Sequence, residues 1–339
     1  MKRRLSVILA LVLIANLCLL YLPSCTRRVI EYQFGDYRYT VETQEVTITE
    51  YSGDATDVTV PESIDGMPVV AIGRSAFHNC DKMKSLTLPD SVIKIGGLAF
   101  NKCYSLEHVT LGRGIREIDY SPFANCEKMI YNEYENGLYV GNDENPYFAL
   151  VSMTSNSKKI EIHPDAIVVC GSALEYCRSL CELVFPEGVV SIGSFAMQSC
   201  LSLETVYIPK SVESIGLLAF QNCDSIQKIV VSDENPHFKS VDGSLFSRDG
   251  SRLIKYATGQ NVISYRIPDS TVIIEDFAFA NAKHLTEVIL PDSVEKIGHS
   301  AFIHCENMQS IHLGNALKKI GGQAFGIVRH LRRLPFPTA

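Results

Sequence analysis

Residues 203–223 read LETVYIPKSVESIGLLAFQNC, and the same grammar returns along most of the chain. The core phrase, Ile-Gly-x-x-Ala-Phe-x-x-Cys, recurs with its Ile or Val at positions 72, 95, 118, 169, 192, 215, 274, 297 and 320. The eight steps are 23, 23, 51, 23, 23, 59, 23 and 23 residues. Six steps are thus single units, and two carry an extra 28 or 36 residues. A fixed period of this length is the signature of a repeat architecture.

Within the unit, apolar residues fall at positions 1, 4 and 6, then at a Val/Ile pair, then at Ala-Phe. One such unit cannot bury its apolar side alone. Stacked coils can, each resting on the next at about the 4.8 Å spacing of neighbouring strands. The pattern therefore predicts a solenoid in which each coil is a single turn of the stack.

The chain starts with a different kind of segment. Lys2, Arg3 and Arg4 precede an uncharged run from Leu5 to Leu22, and Leu22-Pro-Ser-Cys25 places a small residue directly before a cysteine. That layout is an export signal. It predicts lipidation at Cys25, with an uncleaved anchor helix and ordinary secretion as alternatives, and all three place the body outside the cytoplasm. Removal of residues 1–24 leaves 28 Lys+Arg against 38 Asp+Glu, a net charge of −10. A surface of that sign repels phosphate backbones and argues against a nucleic-acid partner.

The unit L-x-x-V-x-L-P-x-S-V-x-x-I-G-x-x-A-F-x-x-C, matched in phase nine times over roughly residues 40–325, resembles the BspA-like class of bacterial leucine-rich repeats. The resemblance implies an α/β-type repeat: a curved leucine-rich-repeat solenoid with one short parallel β-strand per coil on the concave face, and loops, turns or short helices on the convex face. It divides the chain into a lipoprotein signal peptide 1–24, a tether 25–38, an N-terminal strand cap with a first irregular coil 39–70, repeats 71–130, a hairpin insert 131–168, repeats 169–231, a second hairpin insert 232–273, repeats 274–326 and a basic tail 327–339. It also implies adhesion to host or neighbouring-cell macromolecules, with a structural component of the envelope as the competing class.

Recurring residues are read first as architecture. Phe77, Phe100, Phe123, Phe220, Phe279, Phe302 and Phe325 share one repeat position, with Leu174 and Met197 replacing Phe elsewhere, and predict an internal aromatic spine. Cys80, Cys103, Cys126, Cys177, Cys200, Cys223 and Cys305 share another, where Ala282 is the exception. Equivalent side chains on successive coils point the same way, whereas a disulfide needs converging Cβ atoms about 3.8 Å apart. These cysteines are therefore expected as buried thiols. The glycine after Ile gives way to Asp119, Cys170 and Glu275, so a strict need for positive φ there is doubtful.

No H-E-x-x-H, G-x-S-x-G or phosphate loop is present, so neither an enzyme nor a cofactor is predicted. A protein or other macromolecular ligand is, on outward-facing strand positions: Tyr207, Val184, Val230 and Ile289 outline a mildly apolar groove. The inserts offer a second surface. DENPYF at 143–148 and DENPHF at 233–238 mark one bend in each, because Asn before Pro is held extended and Pro fixes φ. Aromatic richness makes Tyr139, Tyr147 and Phe148 the contact residues expected there.

Overall fold

A computed structural model describes residues 30–331. The export segment, Cys25 and the end of the basic tail lie outside the described residues. Each 23-residue unit supplies two short strands where the sequence predicts one. In the unit at 203–223 they are Thr205–Ile208 and Ser214–Ile215. Pro209 ends the first, since its φ is fixed and it has no N–H, and the Val212 amide closes a turn onto the Pro209 carbonyl at 3.4 Å.

The first strands pair in parallel in three sets of three. The sets are Asp57–Thr59, Ser85–Thr87 and His108–Thr110; Glu182–Val184, Thr205–Ile208 and Lys228–Val231; and Ser264–Arg266, Glu287–Ile289 and Ser310–His312. The second strands build their own parallel ladders, with Ile72 opposite Ile95 and Ile95 opposite Ile118. Turns complete each coil, and no helix occurs among the described residues. The expected α/β-type repeat is thus an all-β solenoid.

The two inserts restart the stack. Asn132–Tyr134, Gly137–Val140 and Ala149–Met153 form an antiparallel meander whose last strand pairs in parallel with Val168–Val169. Phe238–Val241, Ser244–Ser247 and Arg252–Lys255 repeat this and join Ile273–Ile274. At the N-terminus, Glu31–Phe34, Tyr37–Glu42 and Glu45–Tyr51 do the same and join Met67–Ile72. All three opening hairpins turn in two residues, pairing Phe34 with Tyr37, Tyr134 with Gly137 and Val241 with Ser244. In all three a bulge falls just before a buried aromatic, Tyr39, Tyr139 or Phe246. The described residues therefore form three modules, each a meander followed by three coils. Residues 25–38, expected as a tether, belong to the first meander from Glu31 onward.

The Phe position forms the spine. Ring centroids are 5.5 Å apart from Phe77 to Phe100 and 5.3 Å from Phe100 to Phe123. In the third module they are 4.7 Å apart from Phe279 to Phe302 and 5.4 Å from Phe302 to Phe325. Meander residues extend the spine: Tyr51 stacks on Phe77 at 5.1 Å and Tyr256 on Phe279 at 4.8 Å. The Cys position lies beside it. Thiols of Cys103, Cys126, Cys200, Cys223 and Cys305 each donate to the carbonyl of the spine residue one coil back, at 3.0 to 3.2 Å. All nine cysteines among the described residues are free. Cysteine suits this place because it fills a small apolar space and still offers a weak donor to a buried carbonyl.

Left-handed backbone is needed, but not at the glycine. In the unit at 203–223 the left-handed residues are Leu218 (φ 57) and Asn222 (φ 56), and every coil repeats the pair. The glycine after Ile serves close approach instead: a Cβ on Gly193 would lie 2.3 Å from the Gly171 nitrogen of the preceding coil. Cys170 and Glu275 follow a meander strand, but so does Gly73, whose added Cβ would lie 2.8 Å from the Ile48 carbonyl, and Asp119 follows a full coil; nothing in the structure explains these three exceptions.

Candidate functional site

Period-two alternation on the first strands sends Leu183, Val206 and Ile229 into the core and leaves their neighbours outside. In the second module Val184 lies opposite Tyr207, and Tyr207 opposite Val230. Val184 is 53% exposed and Tyr207 37%. The adjacent outward row, Glu182, Thr205 and Lys228, runs from acidic to basic. The result is a short apolar strip with a charged margin.

Ile289 is not part of that strip. It belongs to the third module's set, between Arg266 and His312. There the Glu287 carboxylate accepts from Ser264 Oγ at 2.7 Å and lies 3.1 Å from His312 Nε2. Those two contacts, Ser264 first, hold its carboxyl below the usual range. The first module presents Thr59, Thr87 and Thr110 in the same row. Three modules thus expose three different chemistries on one scaffold: hydroxyl, apolar and charged.

The second-module meander corrects two expected contact residues. Tyr139 is fully buried, and its hydroxyl oxygen accepts the His163 amide at 2.9 Å. Phe148 is buried as well. Tyr139 follows the bulge and Phe148 precedes the third meander strand, and both rings belong to the core shared with the coils. Tyr147 is half-buried and stacks on the His163 ring at 3.8 Å.

The two Asp-Glu-Asn-Pro bends do the same local work at different places in the module. DENPYF connects the second and third meander strands, whereas DENPHF precedes the first. In both, the Asn side chain is the tie. Asn235 is fully buried, donates to the Pro209 and Val212 carbonyls at 2.8 and 3.0 Å, and accepts from the His237 and Phe238 amides at 2.8 Å. Asn145 donates to the Asp165 carbonyl at 2.8 Å and accepts from the Tyr147 amide at 3.0 Å. The glutamates face outward, Glu144 to Arg113 at 3.2 Å and Glu234 to Lys210 at 3.1 Å. No cluster that could hold a metal ion occurs among the described residues. Cys305, beside His304, is buried with its thiol on a carbonyl, and burial pushes its pKa up to about 12. It is placed as architecture rather than as a nucleophile.

Sequence reasoning missed a cleft between the first and second modules. It has a volume of about 310 Å³, with Phe123, Tyr131, Val151, Ser152, Glu175 and Tyr176 among its lining residues. The 51-residue interval was its signal in the sequence. Among the described residues no helix is long and apolar enough to cross a membrane.

The family description "BspA type leucine rich repeat region (6 copies)" matches residues 50–144, 148–264 and 255–339. A leucine rich cell surface protein from Faecalibacterium prausnitzii is similar at 23% identity, covering 91% of this chain and 82% of its own, with a TM-score of 0.45. The pneumococcal vaccine antigen PcpA is similar at 22% identity, covering 87% and 78%, with a TM-score of 0.47. A leucine-rich repeat protein from Eubacterium ventriosum follows at 16%, covering 89% and 77%, with a TM-score of 0.44. No curated protein matches the chain. Since the family match spans all three modules, the chain belongs to the BspA-type leucine-rich repeat family.

Proposed function

We propose that this is an extracytoplasmic repeat protein, anchored through lipidated Cys25, that binds another protein or macromolecule through the apolar strip of its second module. The observation that carries the binding reading is the register of Val184, Tyr207 and Val230, which lines three side chains up on a rigid parallel sheet. Apolar residues held in a row on a preorganised surface lose little entropy on binding. The Glu182 to Lys228 margin adds direction to the contact. The export layout at residues 1–25 supports the location, and adhesion to host or neighbouring-cell surfaces is the role that fits both.

The test is capture by the immobilised mature domain from host matrix preparations and from envelope extracts. The account expects a saturable partner from host matrix that Tyr207→Ala loses while melting unchanged. A partner only from envelope extracts would favour the structural role, and undiminished capture by Tyr207→Ala would remove the strip from the account. Mass analysis of the mature N-terminus tests the anchor, and an unmodified Cys25 would exclude it.

A further inference from the structure

We propose that the cleft between the first and second modules binds an extended peptide segment of a partner protein by backbone pairing. Inside a module, three amides of each coil's Ala-Phe turn donate to carbonyls of the next coil. Leu98, Phe100 and Lys102 donate to the Tyr120, Pro122 and Ala124 carbonyls at 3.0, 2.9 and 2.9 Å. At the junction this row begins and then stops. Ser121 still donates to the Gly171 carbonyl at 3.2 Å. The amides of Phe123 and Asn125 have no acceptor among the described residues. Register would give Phe123 the Ala173 carbonyl, but the Met153 amide takes that group at 3.0 Å. The next carbonyl, on Glu175, has no donor among the described residues.

The meander strand ending at Met153 thus wedges the coils apart, leaving the Phe123 donor on one wall with the Asn125 donor just beyond it, and the Glu175 acceptor on the other. Backbone groups near a largely buried residue such as Phe123 cost free energy when unpaired. An extended chain is the occupant this edge recognises. Three strands of the protein itself end on the same turn row, through Tyr51 to the Ala76 carbonyl, Met153 to Ala173 and Tyr256 to Ala278. An extended segment offers carbonyls to such an edge along one side of its backbone. The Phe123, Tyr131 and Val151 walls favour small or apolar side chains on the inserted segment, and the Glu175 carboxylate disfavours an inorganic anion.

The second junction differs. There Leu218, Phe220 and Asn222 also lack acceptors among the described residues. However, Asn281 Nδ2 bridges to Asp224 Oδ1 at 2.9 Å, and Thr258 Oγ1 donates to the Cys223 carbonyl at 3.3 Å. Side chains latch the turn row of that junction, whereas at the first the side-chain ties, Asn142 Nδ2 to the Leu111 carbonyl at 3.0 Å and Arg113 to Glu144 at 3.2 Å, lie away from the turn row, which stays open.

A labelled peptide copying residues 46–52, VTITEYS, serves as the probe, titrated into the purified protein by fluorescence anisotropy and followed by amide hydrogen exchange. The expected result is saturable binding, with exchange at Phe123 and Asn125 slowed about tenfold. Ser152→Trp and Glu175→Trp, which fill the cleft from two sides, should each weaken it at least about tenfold. Glu175 is only half-buried, so its variant keeps the test valid if Ser152→Trp misfolds. Tyr207→Ala should leave peptide binding unchanged, which separates this site from the apolar strip. Absence of saturable binding, or binding that leaves those two amides or both Trp variants unaffected, would overturn the proposal.

Discussion

A step between coils inside a module and a step between modules use the same 23-residue unit and reach different ends. From Leu98 to Lys102 every outward amide finds the next coil, the rings stack, and the Cys126 thiol reaches the Phe100 carbonyl at 3.0 Å. Across the first junction the Gly171 amide still reaches the Ile118 carbonyl at 3.0 Å, but of the turn-row amides only Ser121 keeps its bond. Across the second, Ala282 replaces the ladder cysteine and side chains tie the two sides together. The lesson is that stability in this solenoid resides in repeated, identical interfaces. The meanders trade part of that repetition for a free edge.

The largest test of the contrast is the spine. Phe100→Ala, between two stacked rings, should lose about 3–5 kcal/mol of stability in denaturant titration. Phe325→Ala, at the end of the stack and only partly buried, should lose about half as much. Equal losses would mean that the stack does not propagate. Asn235→Ala strips four hydrogen bonds from a fully buried side chain and should cost about 3 kcal/mol, against about 1 kcal/mol for the less buried Asn145→Ala. Gly193→Ala inside a module should cost about 1–3 kcal/mol, because its Cβ meets the neighbouring backbone. An unchanged melt for Gly193→Ala would contradict the close-approach reading.

Smaller again is the thiol response. Burial raises the pKa of Cys177 from 9.0 to about 11, and of Cys305 to about 12. A raised acid pKa favours the protonated native state. The corresponding stability is therefore complete below the unfolded value and declines as pH rises through about 9 toward about 11 and 12. At pH 8, only Cys181 among the nine described thiols is not buried. A disulfide-exchange reagent should label it first, and the rest only after denaturant is added. Rapid labelling of several thiols in the native state would contradict the packing.

Much of this was legible in the sequence because the coil's periodicity is a packing requirement. The phase of Phe and Cys located the spine and the ladder, and Asp-Gly at 249–250 marked the turn between Ser244–Ser247 and Arg252–Lys255. The modules were not legible. Meanders that share a two-residue turn and a bulge share little sequence, since hairpin pairing is satisfied by backbone groups common to all residues. The left-handed positions were hidden for a related reason: Leu218 and Phe277 hold positive φ through the coil around them, overriding their own preference. Tyr139 and Phe148 misled because aromatic residues near a loop suit both core and contact surface. Only the bulge, which turns Tyr139 inward, decides between them.

The central claim is that three continuous stacks are separated by two interrupted junctions, and amide hydrogen exchange under native conditions tests it most directly. Leu98, Phe100 and Lys102, which bridge coils, should exchange slowly, as should Phe279 and Phe302 in the third module. Phe123, Asn125, Leu218, Phe220 and Asn222 hold the same turn positions at the module ends without an acceptor and should exchange faster by at least about tenfold. Uniform protection across all ten positions would contradict the modular account and show a single unbroken solenoid.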